Sequence, residues 1–260
     1  MKDKIDIQSL KDKRNIAIDR VGVKNVKYPI IVDDRENKVQ HTVATIDIFV
    51  DLPHHHRGTH MSRFIEVLNR YHRETFIANL ENFAKDIKKS LNADSSYAVI
   101  RFPYFIKKKA PVTKIESLMS YNCSFEVSMT DKFLLTICVE VPITTLCPCS
   151  KEVSDYGAHN QRSIVTLKVI AEDFIWIEEL IELVESCASC EIYSLLKRSD
   201  EKFVTEKAYD NPRFVEDIVR EVTLKLKADK RIKAYSVESE NFESIHNHNA
   251  YACVKKNFSR

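Results

Sequence analysis

The sequence has 260 residues, enough to bury roughly 70 to 75 % of its unfolded surface in one large domain or two fused smaller ones. Its 40 basic and 38 acidic residues nearly balance at a formal net charge of +2, which argues against a dedicated binder of nucleic acid or anionic membranes. The apolar runs are shorter than the roughly 18 residues that cross a bilayer, so we expect no membrane insertion.

The cysteines and glycines of the sequence indicate the cellular compartment and exclude some nucleotide-binding motifs. The seven cysteines are an odd set without regular spacing, and the first residues lack the apolar core of a signal peptide. We therefore expect a cytoplasmic protein with reduced thiols. Only three glycines occur, too few for a Gly-rich phosphate loop or a dinucleotide fingerprint, so side chains must hold any nucleotide phosphates.

Hydrophobic periodicity predicts strands and helices in alternating pairs. A weak strand at 15–32 and a half-buried strand at 41–52 come first, followed by helices at 61–71 and 75–91. Strands at 96–106, 116–128, 132–143 and 163–171 follow. We then expect helices at 174–196 and 212–226, the second with Asn211 as its cap and Pro212 as its first residue. Strands at 231–240 and 248–254 end the chain.

This order of two strands, two helices and two strands occurs twice and indicates an internal duplication. A Gly-x-His-x-x-Arg pattern at 58–63 and again at 157–162 supports it, although coincidence in so short a pattern is the alternative. No long linker separates the halves. We predict an α+β protein that forms one continuous unit, with approximate halves 1–130 and 131–260.

Two cysteines near the middle of the chain are candidates for chemistry. Cys147 and Cys149 flank Pro148 after a predicted strand, and C-x-C spacing in an extended segment points both thiols the same way. Packing is one interpretation, because unpaired cysteine is among the most buried residue types. The imidazole of His159 favours another, in which thiolate, imidazole and carboxylate hold a divalent metal.

Other histidines and cysteines carry weaker signals. Glu243, His246 and His248 lie within six residues, and H-x-H in a strand puts both imidazoles on one face, yet isolated H-x-H pairs are common. The histidines at 54–56 suit either a metal or phosphate oxygens. Cys187 and Cys190 lie inside a helical pattern and are interpreted as packing residues.

Four long motifs, in order, resemble those of the prokaryotic type IB GTP cyclohydrolase I. They are HRGTHMSRF (56–64), LCPCSKEVSDYGAHNQRS (146–163), DEKFVTEKAYDNPRFVED (200–217) and ESIHNHNAYA (243–252). The resemblance implies the bimodular tunnelling fold (T-fold), with two tandem ββααββ-like units whose antiparallel sheets carry helices on one face. It also implies a homotetramer with active sites between subunits.

The family's reaction opens the imidazole ring of GTP with water, releases formate and yields 7,8-dihydroneopterin triphosphate, a first step toward folate and 7-deazaguanine products. A divalent ion, one per active site, activates the water. The resemblance implies a metal shell of Cys147, His159, Glu201 and His246, with Glu243 in reserve. The residue types suit zinc, manganese or iron alike.

The resemblance also assigns roles in catalysis and substrate binding. Cys149 is implied to be the active-site thiol beside Cys147, and His248 a proton shuttle. Glu216 is implied to anchor the guanine, although the helix dipole alone favours a carboxylate there. The candidates for binding the triphosphate are the basic residues Arg57, His60, Arg63, Lys151 and Arg162.

Two alternatives stay open. An NADPH-dependent nitrile reductase of 7-deazaguanine synthesis shares the implied fold, a Cys-Pro segment and the purine-binding glutamate. A noncatalytic protein stabilised by a closed zinc site would also explain the cysteines and histidines. GTP turnover separates both from the cyclohydrolase.

Overall fold

A computed structural model describes residues 11–71 and 75–258. The residues on which the signal-peptide prediction rests lie outside this range. The elements are β1 (Ile18–Asp34), β2 (Lys38–Leu52), α1 (Met61–Leu68), α2 (Phe76–Ser90), β3 (Ser96–Lys109), β4 (Glu116–Met129), β5 (Phe133–Leu146), α3 (Pro148–Val153), β6 (Asn160–Ala171), α4 (Ile177–Glu185), β7 (Cys190–Glu191), α5 (Arg198–Asp210), α6 (Val215–Ala228), β8 (Ile232–Asn241) and β9 (Ala250–Lys256). A 3-10 turn at Asn69–Tyr71 follows α1. None of the helices in the described segments has the length and apolarity that crossing a bilayer requires.

The strands form a sheet in the order β1-β2-β3-β4-β5-β6-β8-β9, with the short β7 paired to β5. The pairs β1–β2, β2–β3, β5–β6, β6–β8 and β8–β9 are antiparallel. Buried positions alternate with more exposed ones along β4 and β6, as expected for strands with one face toward a core. The predicted α+β class is confirmed.

The described residues divide into two compact units. The first contains the residues up to Phe102 together with Ser124–Leu135, and the second contains Pro103–Cys123 and the residues from Thr136 onward. In the first unit, α1 and α2 pack beside β1, and Phe64, Phe83 and Ile46 are fully buried. In the second unit, α6 packs on β8 and β9 and against α4, and it buries Ile218 and Val222.

The region between α4 and α6 differs from the prediction of one helix over 174–196. Helix α4 ends at Glu185, the chain then forms β7, and α5 is a helix that the pattern did not predict. Helix α5 lacks an apolar face, because Asp200 and Ala208 are its only buried residues. Hydrophobic periodicity therefore could not reveal it.

The predicted start of α6 was also wrong. Asn211 is the C-cap of α5, and α6 begins at Val215 with Phe214 as its N-cap. The Asp217 carboxylate accepts a hydrogen bond from the Phe214 N–H at 2.9 Å, which fixes this start. Pro212 therefore follows the end of one helix instead of opening the next.

The repeated Gly-x-His-x-x-Arg pattern occupies two different structural settings. Residues 58–63 lead into helix α1, whereas residues 157–162 lead into strand β6. These places do not correspond in the order of elements, so the pattern is a coincidence and no mark of duplication. Gly157 has a positive φ of 116°, which explains a glycine at that turn.

Candidate active site

Cys147 lies at the point where strand β5 turns into helix α3. It is the N-cap of α3, and the Ser150 N–H donates to its Sγ at 3.5 Å. Pro148 takes the first helical position, where no backbone donor is needed. The extended C-x-C geometry expected from the sequence is therefore wrong, because Cys149 lies in the first turn of α3 and is exposed.

Cys147 and His159 are adjacent. The Cys147 N–H donates to the His159 carbonyl at 3.1 Å, one residue beyond the last register pair of β5 with β6. Ser150 holds the same turn, because its hydroxyl donates to the Cys147 carbonyl and accepts from the His159 N–H, each at 3.2 Å. The backbones of Cys147 and His159 are thereby paired where β5 ends and β6 begins.

The His159 ring faces partners that sequence analysis missed. Its Nδ1 lies 3.1 Å from Gln161 Oε1 and 3.3 Å from Ser244 Oγ. Gln161 follows His159 by two residues, a spacing that puts both side chains on one face of an extended chain. That spacing is the signal that could have identified it.

The loop at 242–249 carries the C-terminal histidines. The Phe242 N–H donates to the Arg162 carbonyl at 3.0 Å, after which the chain bends until β9 begins. His246 and His248 therefore do not lie in a strand, contrary to expectation; both are exposed, and their rings stack with centroids 5.1 Å apart. Ser244 brings this loop to His159.

Glu201 is not brought to Cys147 within this chain. It is exposed near the start of α5, whereas α3 contacts the other end of that helix, because Lys151 Nζ donates to the Tyr209 carbonyl at 2.6 Å. Glu201 precedes Tyr209 by eight residues, or about 12 Å along the helix axis. Lys151 thus has a structural contact that the sequence did not predict.

The metal shell predicted from the resemblance is incomplete in one chain. Within residues 11–71 and 75–258, no group of three or more His, Cys, Asp or Glu side chains is placed to hold an ion. The four predicted ligands, Cys147, His159, Glu201 and His246, are therefore not assembled here as a set. Thiolate and imidazole are donors that zinc and similar ions accept, so Cys147 and His159, whose backbones are paired, fit part of a shell.

The start of helix α6 is tied to the same strand end. The Arg213 N–H donates to the carbonyl of Leu146, the residue before Cys147, at 3.0 Å. Glu216 follows in the first turn of α6 and is exposed. Arg213 was not predicted, and its Nε is buried with no hydrogen-bond partner among the described residues.

Most of the predicted triphosphate ligands belong to the first unit. His60 and Arg63 line a cleft of about 140 Å³, whereas Arg57 is exposed outside its lining. Arg63 Nη1 donates to the Ser90 carbonyl at 3.2 Å. This cleft is smaller than the about 300–1,000 Å³ of pockets that enclose a whole ligand. Arg162, in the second unit, is exposed on β6.

A buried ion network lies where strand β7 pairs with β5, the strand that precedes Cys147. Strand β7 pairs with β5, and Lys108 Nζ lies 2.8 Å from Glu185 Oε1 and 2.6 Å from Glu191 Oε2. Burial raises the pKa of Glu185 although Lys108 opposes the shift. Burial acts on Glu191 in the same sense, but the hydrogen bond and charge of Lys108 outweigh it and lower the pKa of that carboxyl.

Known proteins of similar sequence share one description. The model of the family described as type I GTP cyclohydrolase FolE2 matches residues 5–252. The GTP cyclohydrolase FolE2 of Geotalea uraniireducens is 56 % identical over 251 residues, which cover 96 % of this chain and 93 % of that protein. The GTP cyclohydrolase FolE2 of Thermosipho africanus is 56 % identical over 250 residues, 96 % of each chain.

Solved structures of similar fold include two urate oxidases. The uricase of Arthrobacter globiformis superposes with a TM-score of 0.52 at 7 % identity, covering 93 % of this chain and 95 % of that one. A highly active mutant of the Bacillus sp. TB-90 urate oxidase gives 0.57 at 9 % identity, with 92 % and 99 % covered. At such identities the likeness concerns the fold alone.

The sequence matches decide the family, because they extend over nearly the whole chain at more than half identity. They do not by themselves extend to the type IB and tunnelling-fold assignment that the motifs predicted. The chain belongs to the type I GTP cyclohydrolase FolE2 family.

Proposed function

We propose that this chain, a GTP cyclohydrolase by family, opens the guanine imidazole ring of GTP with water, releases formate and forms 7,8-dihydroneopterin triphosphate for folate biosynthesis. The observation that carries the proposal is the backbone pairing of Cys147 with His159 where β5 ends and β6 begins. Cys149 follows two residues after Cys147, in the first turn of α3. The segment that leads into the Glu216 helix is hydrogen-bonded to the end of β5, from the Arg213 N–H to the Leu146 carbonyl. We also propose that the same product supplies the synthesis of 7-deazaguanine compounds.

The finer classification is also proposed: type IB, with a tunnelling fold of two tandem ββααββ units. The element order supports it, since β1-β2-α1-α2-β3-β4 is followed by β5-β6, two principal helices α4 and α6, and β8-β9. Helices α3 and α5 and strand β7 are additions to the second set. The gap between β4 and β5, at 130–132, is the basis for halves of 1–130 and 131–260, whereas in the compact units residues 103–123 belong to the second unit.

We further propose one divalent ion per active site, zinc, manganese or iron, with Cys147 and His159 among its ligands. Such an ion, when bound, lowers the pKa of a coordinated water toward about 7 and so supplies a nucleophile at neutral pH. His246, or Glu243 in reserve, is a candidate because its loop contacts His159 through Ser244. Glu201 is exposed and so is free to contribute to the site of a second subunit, which agrees with a homotetramer whose sites lie between subunits.

The remaining roles in catalysis and substrate binding are assigned to residues of this chain. The exposed thiol of Cys149 is assigned to the reacting ring carbon, and the imidazole of His248 carries protons between solvent and substrate. The Glu216 carboxylate accepts two hydrogen bonds from the ring N–H and the amino group of guanine, a pairing that selects guanine over adenine. Arg57, His60, Arg63, Lys151 and Arg162 remain the candidates for the triphosphate, with Lys151 already engaged at Tyr209.

The test is GTP turnover with each divalent metal, followed by formate release and by the fluorescence of the oxidised pterin. Cys149→Ala is expected to abolish formate release while metal content stays unchanged, and retained turnover would remove Cys149 from the mechanism. NADPH consumption with a nitrile substrate would instead support the reductase. Tight zinc with no turnover and no GTP-induced shift in melting would support a noncatalytic zinc protein.

A further inference from the structure

Within the second unit, a string of polar side chains begins at His159 and continues through buried residues of β5 and β6. Gln161 Oε1 lies 3.1 Å from His159 Nδ1, Gln161 Nε2 donates to Thr145 Oγ1 at 3.0 Å, and Thr145 Oγ1 lies 2.8 Å from Ser163 Oγ. Thr145 and Gln161 are direct cross-strand partners in the pairing of β5 with β6. The string therefore follows from the register of the two strands that bring Cys147 and His159 together.

Because these side chains are buried, the direction of their hydrogen bonds determines which nitrogen of the His159 ring carries the proton. Thr145 and Ser163 are fully buried and Gln161 is 7 % exposed, so their polar groups depend on one another for partners. Because the Gln161 amide nitrogen donates to Thr145, its oxygen is the atom that faces His159. An amide oxygen only accepts, so the imidazole must donate from Nδ1.

We propose that Gln161 is a positioning residue for His159: it accepts the Nδ1 proton, holds the ring, and leaves the unprotonated Nε2 directed to a divalent ion shared with Cys147. The inference rests on the proposed metal-dependent function and adds to it the group that selects the histidine tautomer. Partners of this kind behind a metal-binding imidazole fix its orientation and raise its basicity. Ser244 Oγ, 3.3 Å from the same nitrogen, can share the proton as a second acceptor.

If the Gln161 amide were turned round, the other nitrogen of the His159 ring would carry the proton, so the proposal can be tested. If the Gln161 nitrogen faced His159, Nδ1 would be the acceptor and the proton would reside on Nε2. That tautomer has no lone pair on Nε2 for an ion. The position of one proton on the metal-free protein therefore distinguishes the two arrangements.

The experiment compares the full-length wild type with three variants. Gln161→Leu removes the acceptor, Gln161→Glu keeps one, and Ser96→Ala is the control, because it deletes a buried hydrogen bond of 2.7 Å to the Ala84 carbonyl in the first unit. Zinc affinity is measured by competition with a chromophoric chelator, and thermal melting of the metal-free proteins reports their folding. Nitrogen NMR of ¹⁵N-histidine-labelled, metal-free protein identifies the tautomer of His159.

The expected result is a zinc affinity about 10- to 100-fold weaker in Gln161→Leu, near wild type in Gln161→Glu, and unchanged in Ser96→Ala. In the metal-free wild type the proton of His159 is expected on Nδ1. Rescue by glutamate is the result that a merely structural role would not give. If Gln161→Leu fails to fold, the zinc affinity of Gln161→Glu and the His159 tautomer observed by NMR still test the role of Gln161.

Two results overturn the proposal in distinguishable ways. Equal zinc affinity of the wild type and Gln161→Leu, or a wild-type proton on Nε2, refutes the role of Gln161 while the metal-dependent function stands. A wild type that binds none of zinc, manganese and iron refutes both together.

Discussion

Lys108→Met tests the buried ion network beside strands β5 and β7. The side chain of Lys108 is 8 % exposed, and its Nζ contacts Glu185 at 2.8 Å, Glu191 at 2.6 Å and the Ile192 carbonyl at 3.1 Å. Methionine keeps most of the volume and removes the charge. Two acidic groups then stay in a low-dielectric site without their shared cation.

The expected cost is about 3–5 kcal/mol, the range for breaking a buried ion pair by removing one partner. For a chain of this size, 1 kcal/mol corresponds to roughly 2–4 °C, so melting should fall by roughly 6–20 °C. The loss should also depend on pH. Burial already raises the pKa of Glu185 above its usual value of 4.5, so the folded state binds its proton more readily than the unfolded state does. Without Lys108 this shift grows, and the variant loses stability as pH rises through that window.

Denaturant unfolding at about pH 5 and about pH 8 measures both effects. Lys85→Met is the matched control, because Lys85 forms an equally short pair of 2.6 Å with Glu81 while both side chains are about half exposed. That pair is worth at most about 1 kcal/mol. A Lys108→Met cost no larger than that of Lys85→Met, or one that does not shrink toward acid pH, would refute the reasoning.

Three further predictions follow from single contacts. Gly22→Ala should cost at least about 1–3 kcal/mol, because the added Cβ would lie 1.9 Å from the Ile48 carbonyl oxygen and push β1 off β2; near-wild-type unfolding in urea would contradict this. Asp200→Asn should lower the melting temperature at neutral pH, since hydrogen bonds from Thr113, Val112 and Lys197 hold the pKa of that carboxyl below its usual 3.8. The gap to wild type should narrow as pH falls below that value, and a gap independent of pH would count against the role of the charge. Glu216→Ala should raise the KM for GTP and lose the preference for guanine over adenine nucleotides at unchanged metal content; an unaltered preference would exclude it from base recognition.

The fold was largely predictable because most of its elements follow hydrophobic alternation. Strands such as β4 and helices such as α2 were placed within a few residues, since each buries one regular face. Helix α5 was not, because its buried positions are one carboxylate and one alanine. Its anchor is Asp200, which accepts hydrogen bonds from the turn after β3, a contact that no local pattern records.

The site was only partly predictable, for a related reason. Spacing and motif placed Cys147 and His159 in one region, and the strand pairing brings them together. Spacing does not say which end of a helix meets a strand, and Glu201 lies at the far end of α5 from that contact. Gln161 escaped notice because a polar residue in a strand is usually solvent-facing, whereas here the register places it opposite Thr145.

The distribution of thiols gives the protein a natural means of selective covalent labelling. All seven cysteines lie in the described residues and none of them forms a disulfide. Burial raises the pKa of Cys123, Cys187 and Cys190, which keeps them protonated and slow toward alkylating reagents, whereas Cys149 and Cys253 are exposed. Replacing Cys253 on β9 by serine would leave Cys149 as the exposed thiol of the described chain. A fluorescent or fluorinated probe attached there would report on the surroundings of helix α3.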